Sequence, residues 1–350
     1  MTKDKIQLLI ALQGGGSHGA LGWGVLDRLL DEDRFDISAI SGTSAGAMNA
    51  AFFASGLAKN GPTGAKAALR AFWRAVSRLG SFSPIQRSGF AKASGNWSLD
   101  LNPAYLWFDL ISRVWSPYQT NPMNHHPLKA LLTELLDLGA LNSDAAPRVF
   151  LTATNVRTGT ARVFTQPDIT VDTILASAAL PSLFQAVEID GDPYWDGGYT
   201  GNPSLFPLVQ HQHGVDLLLI QTNPFERDET PKTARDISNR LNEITFNSAL
   251  MKELRIAMHY RTLHPEHSRT RLHRVLCDAD LAEFSPSAKL NVEWAYLDRL
   301  FERGRAQASG FLDTRGALIG HDATFDPAVL FEDMAQGSPN AGTSMPEAAE

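Results

Sequence analysis

Asp36-Ile37-Ser38-Ala39-Ile40-Ser41-Gly42-Thr43-Ser44-Ala45-Gly46-Ala47-Met48-Asn49-Ala50-Ala51-Phe52-Phe53 is the stretch whose reading decides the fold. Its first half is a short apolar run and its second half is helix-like, with the GxSxG pentapeptide Gly42–Gly46 between them. Strand, sharp turn and helix in that order hold a serine in a strained turn with its hydroxyl exposed, and the small residues Gly42 and Gly46 leave room for the turn. Ser44 is therefore the candidate nucleophile.

Toward the N-terminus, the apolar run Ile6-Gln7-Leu8-Leu9-Ile10-Ala11-Leu12 leads into Gln13-Gly14-Gly15-Gly16-Ser17-His18-Gly19 and a second helix-like segment. Glycines between a strand and a helix N-terminus leave backbone N–H groups free to point at a negative charge. Gly14-x-Gly16-x-x-Gly19 also satisfies the dinucleotide fingerprint, which asks for an acidic residue at the end of the following strand. Asp36 is near the required distance but begins that strand. No GxxxxGK[ST] occurs, so a P-loop is excluded. Close helix packing is the plainer use of the same glycines.

Downstream, apolar runs alternate with helical segments, which predicts an α/β fold with a largely parallel sheet. Strands are expected at residues 148–154, 161–165 and 215–221, and helices at 62–79, 127–138, 170–178, 233–263 and 287–312. Residues 80–126 read as an irregular, aromatic-rich insertion, suited either to a lid over an apolar groove or to an extension of the core. A single domain ending near residue 332 is expected, followed by a small, polar tail at 333–350 that reads as disordered.

A serine hydroxyl needs a base close in space. The best-placed carboxylate is Asp196 in Tyr194-Trp195-Asp196-Gly197-Gly198, a tripeptide that also suits an ordinary hairpin turn. A Ser-acid-His triad would draw its imidazole from His211, His213, His259, His264, His267, His273 or His321.

The glycine loop, the Ser44 elbow and Asp196-Gly197-Gly198, in that order and spacing, resemble the patatin-like phospholipase family over about residues 6–222. Ala176-Ser177-Ala178-Ala179-Leu180-Pro181-Ser182-Leu183-Phe184 and Asp190-Gly191 strengthen the likeness. The resemblance implies a three-layer α/β fold and a serine lipid acyl hydrolase acting on phospholipids or related acyl lipids. It implies a dyad in which Ser44 is the nucleophile and Asp196 the base, with Gly14, Gly15 and Gly16 as oxyanion donors. The chain departs from the family at His18, where Arg or Lys is usual. Hydrolysis of a stored polyester or a thioester, and acyl binding without chemistry, are the alternative readings.

The 350 residues carry a net charge of −7 and one cysteine, Cys277, so no intramolecular disulfide forms and an oxidising compartment is not required. The first apolar run is too short for a signal-peptide core. A cytoplasmic protein with peripheral contact to a lipid surface is expected. Residues 37–99 contain seven lysines and arginines and no acid. Lys66, Arg70, Arg74 and Arg78 recur every four residues beside an apolar face, so this helix either rests on anionic lipid or packs on the core with a solvated basic side. The histidine and cysteine spacing offers no metal site, no cofactor is implied, and the acidic balance argues against nucleic acid.

Overall fold

A computed structural model describes residues 5–212, 214–227, 230–263, 270–277 and 286–331; the tail expected to be disordered lies outside them. β1 (Ile6–Leu12), α1 (Gly19–Leu29), β2 (Phe35–Gly42) and α2 (Ala45–Ser81) form the two βα units that the motifs require. The chain continues through α3 (Gly89–Ala93), α4 (Pro103–Val114), α5 (Pro117–Thr120), α6 (Pro127–Leu135) and α7 (Leu138–Leu141). β3 (Arg148–Asn155), β4 (Ala161–Phe164), α8 (Val171–Ser177), β5 (Val187–Ile189) and β6 (Asp192–Asp196) follow. Last come α9 (Phe206–His211), β7 (Asp216–Gln221), α10 (Ala234–Leu263), β8 (Arg271–Leu276) and α11 (Trp294–Arg315).

The strands make one sheet in the order β5-β6-β3-β2-β1-β7-β8, with β4 also paired to β3. β3, β2, β1, β7 and β8 run parallel, whereas β4, β5 and β6 are antiparallel additions at one side. Alternation along each central strand feeds two cores. Leu8, Ile10 and Leu12 of β1 join α1, α2 and α11, while Leu9 and Ala11 join α9 and α10 across the sheet. The result is helix layers on both faces, because parallel strands must be covered on both sides.

α1 and α11 approach backbone to backbone. A Cβ on Gly24 would lie 2.0 Å from the Phe301 carbonyl oxygen, and one on Gly304 would lie 2.1 Å from that of Leu21. α2 is broken at Asn60 and Gly61, the latter at φ 62°, and Pro62 restarts the helix where a missing N–H costs nothing. The helix expected at 62–79 is thus the second arm of a kinked element.

Residues 80–126 correct the sequence reading. They are helical in three places, and the residues that suggested irregularity are the helix starts themselves. Ser88 accepts from the Ala91 N–H, Asn102 accepts from the Tyr105 N–H ahead of Pro103, and Ser116 boxes α5 ahead of Pro117. The helix expected from 287 begins instead at Trp294, after a 3-10 turn at Pro286–Leu290.

Candidate active site at the carboxyl ends of the central strands

β2 lies between β1 and β3, so its carboxyl end opens at the middle of the sheet. Ser44 follows directly, at φ 57° and ψ −122°, a strained conformation for a residue with a side chain. Both elbow glycines are forced by close approach: a Cβ on Gly42 would meet the Gly46 carbonyl oxygen at 2.3 Å, and one on Gly46 would meet that of Leu12 at 2.4 Å. The turn is tied down by the Ser44 N–H, 3.1 Å from both the backbone oxygen and the hydroxyl of Ser177, and by Thr43 Oγ1 donating to the Gly201 carbonyl at 2.7 Å. The helix that begins at Ala45 turns its N-terminus toward this serine, and its first N–H has no acceptor within the helix.

Asp196 ends β6, opposite Ala153 of β3, and is wholly buried. Its N–H donates to the Ala179 carbonyl at 2.9 Å, and its Oδ1 accepts from the Gly198 N–H at 2.7 Å. Asp190 and Gly191, both at positive φ, turn the β5–β6 hairpin that delivers it. Gly197 is required because a Cβ there would sit 2.0 Å from the Thr152 carbonyl oxygen. Burial raises the carboxyl pKa to about 7, against the opposing pull of the Gly198 N–H and the Ser44 hydroxyl. Ser44 and Asp196 are thus close enough for the serine hydroxyl to draw the carboxyl pKa down, without a hydrogen bond between the two side chains. Asp196 Oδ2 has no aligned hydrogen-bond partner.

The glycine loop lies against the elbow: a Cβ on Gly14 would be 2.6 Å from the Thr43 carbonyl oxygen and 2.7 Å from the Ser44 Cβ. The three glycines are not equivalent. The Gly14 N–H, expected as an oxyanion donor, is engaged by Asn202 Oδ1 at 2.8 Å, and the Gly14 carbonyl accepts from Asn223 Nδ2 at 2.6 Å. The Gly15 and Gly16 N–H groups have no acceptor among the described residues. Gly16, at φ 62°, passes under the Lys289 carbonyl, 2.6 Å from where a Cβ would stand. Gln13 fixes the loop's base by accepting from the Thr222 and Asn223 N–H groups at 2.9 and 2.7 Å.

Sequence reasoning missed Asn202, Asn223, Ser177 and Lys289. Asn202-Pro203 and Asn223-Pro224 carry a turn signal that nothing local links to the loop. His18 is buried, and burial, then Lys289 and Arg227, hold its pKa well below the ordinary value. It is neutral, and neither ring nitrogen has a partner among the described residues. The cations beside the loop are Lys289, whose Nζ reaches Asn223 Oδ1 at 3.2 Å, and Arg227, paired with Glu243 at 2.7 Å.

His273 is not near the serine. Its Nε2 lies 2.7 Å from Asp216 Oδ1 at the start of β7, opposite Leu8, whereas the elbow follows the level of Leu12 and Gly42. His273 itself stands on β8, three strand spacings or about 14 Å across the sheet from β2. Among the described residues no histidine hydrogen-bonds to Ser44 or Asp196; His213, His264 and His267 lie outside them. Asp36 accepts from Gln7 Nε2 at the opposite end of β2 from the glycine loop, so the dinucleotide reading lacks its ribose acid. No group of three or more metal-ligating side chains occurs among the described residues, and none of their helices is long and apolar enough to cross a membrane.

The family model for patatin-like phospholipases matches residues 10–209, which spans the glycine loop, the elbow and Asp196. The chain belongs to the patatin-like phospholipase family. Membership supports lipid hydrolysis as its general activity. Among solved structures, this patatin-like chain is similar to VipD from Legionella pneumophila, at 13% identity and TM-score 0.42, covering 89% of this chain and 67% of that one. It is also similar to a chain of the complex of full-length SpcU with full-length ExoU from the type III secretion system of Pseudomonas aeruginosa. There the identity is 15% and the TM-score 0.33, covering 89% of this chain and 53% of that one. No curated protein matches the sequence significantly.

Proposed function

We propose that this patatin-like chain cleaves carboxylic ester bonds of acyl lipids with a Ser44–Asp196 dyad through an acyl-enzyme. The observation that carries the reading is a fully buried carboxylate with one unpartnered oxygen beside a serine in a strained elbow. Ser44 Oγ attacks the ester carbonyl carbon while Asp196 accepts its proton. The tetrahedral oxygen takes up the negative charge and is held by the N–H groups of Gly15, Gly16 and Ala45, the residue after the nucleophile. Gly14 is then an anchor, fixed on both sides by Asn202 and Asn223. Collapse of the intermediate expels the alcohol, which takes the proton from Asp196. Water, deprotonated by the same carboxylate, attacks the acyl carbon, and Ser44 Oγ departs from the second tetrahedral intermediate taking that proton back from Asp196, which frees the fatty acid and restores both side chains.

Burial serves this chemistry directly. An aspartate with pKa near 4 is a poor proton acceptor at neutral pH, whereas one raised to about 7 is matched to the task. The test is Ser44→Ala against wild type on a panel of phospholipid, lysophospholipid, glyceride and thioester substrates, with fluorophosphonate labelling alongside. Loss of turnover by about 10³-fold or more, together with loss of labelling and an unchanged melting temperature, is expected. Near wild-type turnover in Ser44→Ala would remove the dyad.

A further inference from the structure

Eleven of the twenty large apolar side chains exposed among the described residues fall within residues 79–123. Phe82 is 89% exposed and Met123 92%. α4 is turned inside out. Leu106, Leu110 and Val114 recur at helical spacing on its solvent side with Trp107 beside them, while Tyr105 is its one buried residue. Large apolar side chains exposed in such density mark an interaction site.

Charge says which kind. Arg70, Arg74 and Arg78 line a groove of about 640 Å³ between the second arm of α2 and α6, floored by alanines and leucines and ending at Phe82. Arg70 and Arg74 lie over the Trp294 ring, and none of the three arginines forms an ion pair among the described residues. Lys66, one turn earlier, is instead bound to Asp31 and Asp27 on α1, so the basic stripe divides into an internal end and an outward end. The acids of this face are fewer than its cations: Asp109 is taken by Arg113 at 3.0 Å, and Asp100 and Glu134 stand against Arg70, Arg74, Arg78 and Lys92, so a second copy of the face would set mainly positive charge against positive charge.

The face is also joined to the site. Asn121 accepts from Gln185 Nε2 at 2.7 Å, Tyr118 Oη accepts from the Ala186 N–H at 3.2 Å, and the His126 ring stacks on Phe184. The same stretch of chain begins with Ser177 and Ala179, which hold the backbone of Ser44 and Asp196. We propose that residues 79–123, flanked by Arg70, Arg74 and Arg78, form the surface by which the protein docks on an anionic lipid bilayer, α4 lying in the interface. This deepens the acyl-lipid reading of the site, naming where its substrate is met.

The experiment separates docking from chemistry by using full-length protein carrying Ser44→Ala. It is sedimented with vesicles of phosphatidylcholine alone and of phosphatidylcholine mixed with phosphatidylglycerol. Binding to the mixed vesicles about tenfold tighter than to the neutral ones, and weakened by salt, is expected. Adding Trp107→Glu with Leu110→Glu should weaken it about tenfold or more. Arg78→Glu alone should narrow the preference for the anionic vesicles, with an unchanged melting temperature as its control. In wild-type Ser44 background the Trp107→Glu/Leu110→Glu protein should still cleave a short soluble ester, so a docking failure and a failure of the dyad read differently. Absent binding to the mixed vesicles, equal binding by the variants, or a dimer that the paired substitution dissolves would overturn the proposal; the last would make a second copy the occupant.

Discussion

Asp196 and Asp216 are both wholly buried aspartates on the same sheet, and they are treated in opposite ways. Asp216, at the amino end of β7, accepts from Arg271 at 3.0 and 2.7 Å and from the Gly320 N–H at 3.0 Å, and it contacts His273 at 2.7 Å. Burial pushes its pKa up, but these partners together pull it below the usual carboxylate range. Asp196, at the carboxyl end of β6, has one backbone N–H and the loose contact of a serine, and burial prevails. Burial alone therefore does not define a base. The lesson lies in what is left unpaired: the satisfied carboxylate braces β7, β8 and the chain near Gly320, and the starved one is the group proposed above as the base.

The largest expected effect that tests this contrast is Asp196→Asn, which should lower kcat/KM about 10³- to 10⁴-fold while the melting temperature at neutral pH holds or rises. Steady-state ester hydrolysis with a thermal melt reads both; activity within tenfold of wild type would return the base to a histidine. Asp216→Asn should do the reverse. It leaves Arg271 without its carboxylate, which should destabilise the fold by about 3 kcal/mol in urea titration at pH 7, with turnover per folded molecule unchanged.

Titration gives a third separation. The folded-state pKa of Asp196 is raised to about 7 from 3.8, so its stabilising contribution is complete below about pH 4 and is lost as pH rises to about 7. The stability of Asp196→Asn relative to wild type should therefore grow across that window by about 4 kcal/mol and then level off. The folded-state pKa of Asp216 is lowered, so its contribution is present above about pH 4 and is lost as the solution is acidified further. Urea titrations of both Asn variants across pH read the two slopes, which should have opposite signs. In the same range kcat/KM of wild type should climb to a plateau with an apparent pKa of about 7. The smallest effect concerns the polar side of the glycine loop. Lys289→Met loosens Asn223 and with it Gly14, and should lower kcat about five- to tenfold with little change in KM.

The parts of the site legible in the sequence were those written in consecutive residues. The elbow needs a glycine two positions to either side of the serine, and Gly197 must directly follow Asp196 to clear Thr152, so the close packing left a local signature. Asn202, Asn223 and Lys289 act on the loop across hundreds of residues of chain, through single hydrogen bonds or one carbonyl, and no pattern announces that. For the same reason Gly14 was expected as a donor: the sequence displays an N–H but not the asparagine that claims it. The parallel core of the sheet was legible from its apolar runs. The helices of residues 80–126 were not, because α4 exposes the side that periodicity assigns to a core and opens on Asn102 and Pro103, which read as loop.

The close approach of α1 and α11 at Gly24 and Gly304 has a practical consequence. α11 lies wholly beyond residue 209, where the family match ends, yet its backbone touches the helix that the glycine loop opens. A fragment cut to the matched segment would keep every motif and lose the wall on which Trp23 rests. Engineers seeking a minimal version should retain residues 294–315, and a methyl group added at either glycine should wedge the two cylinders apart and blunt turnover from a distance.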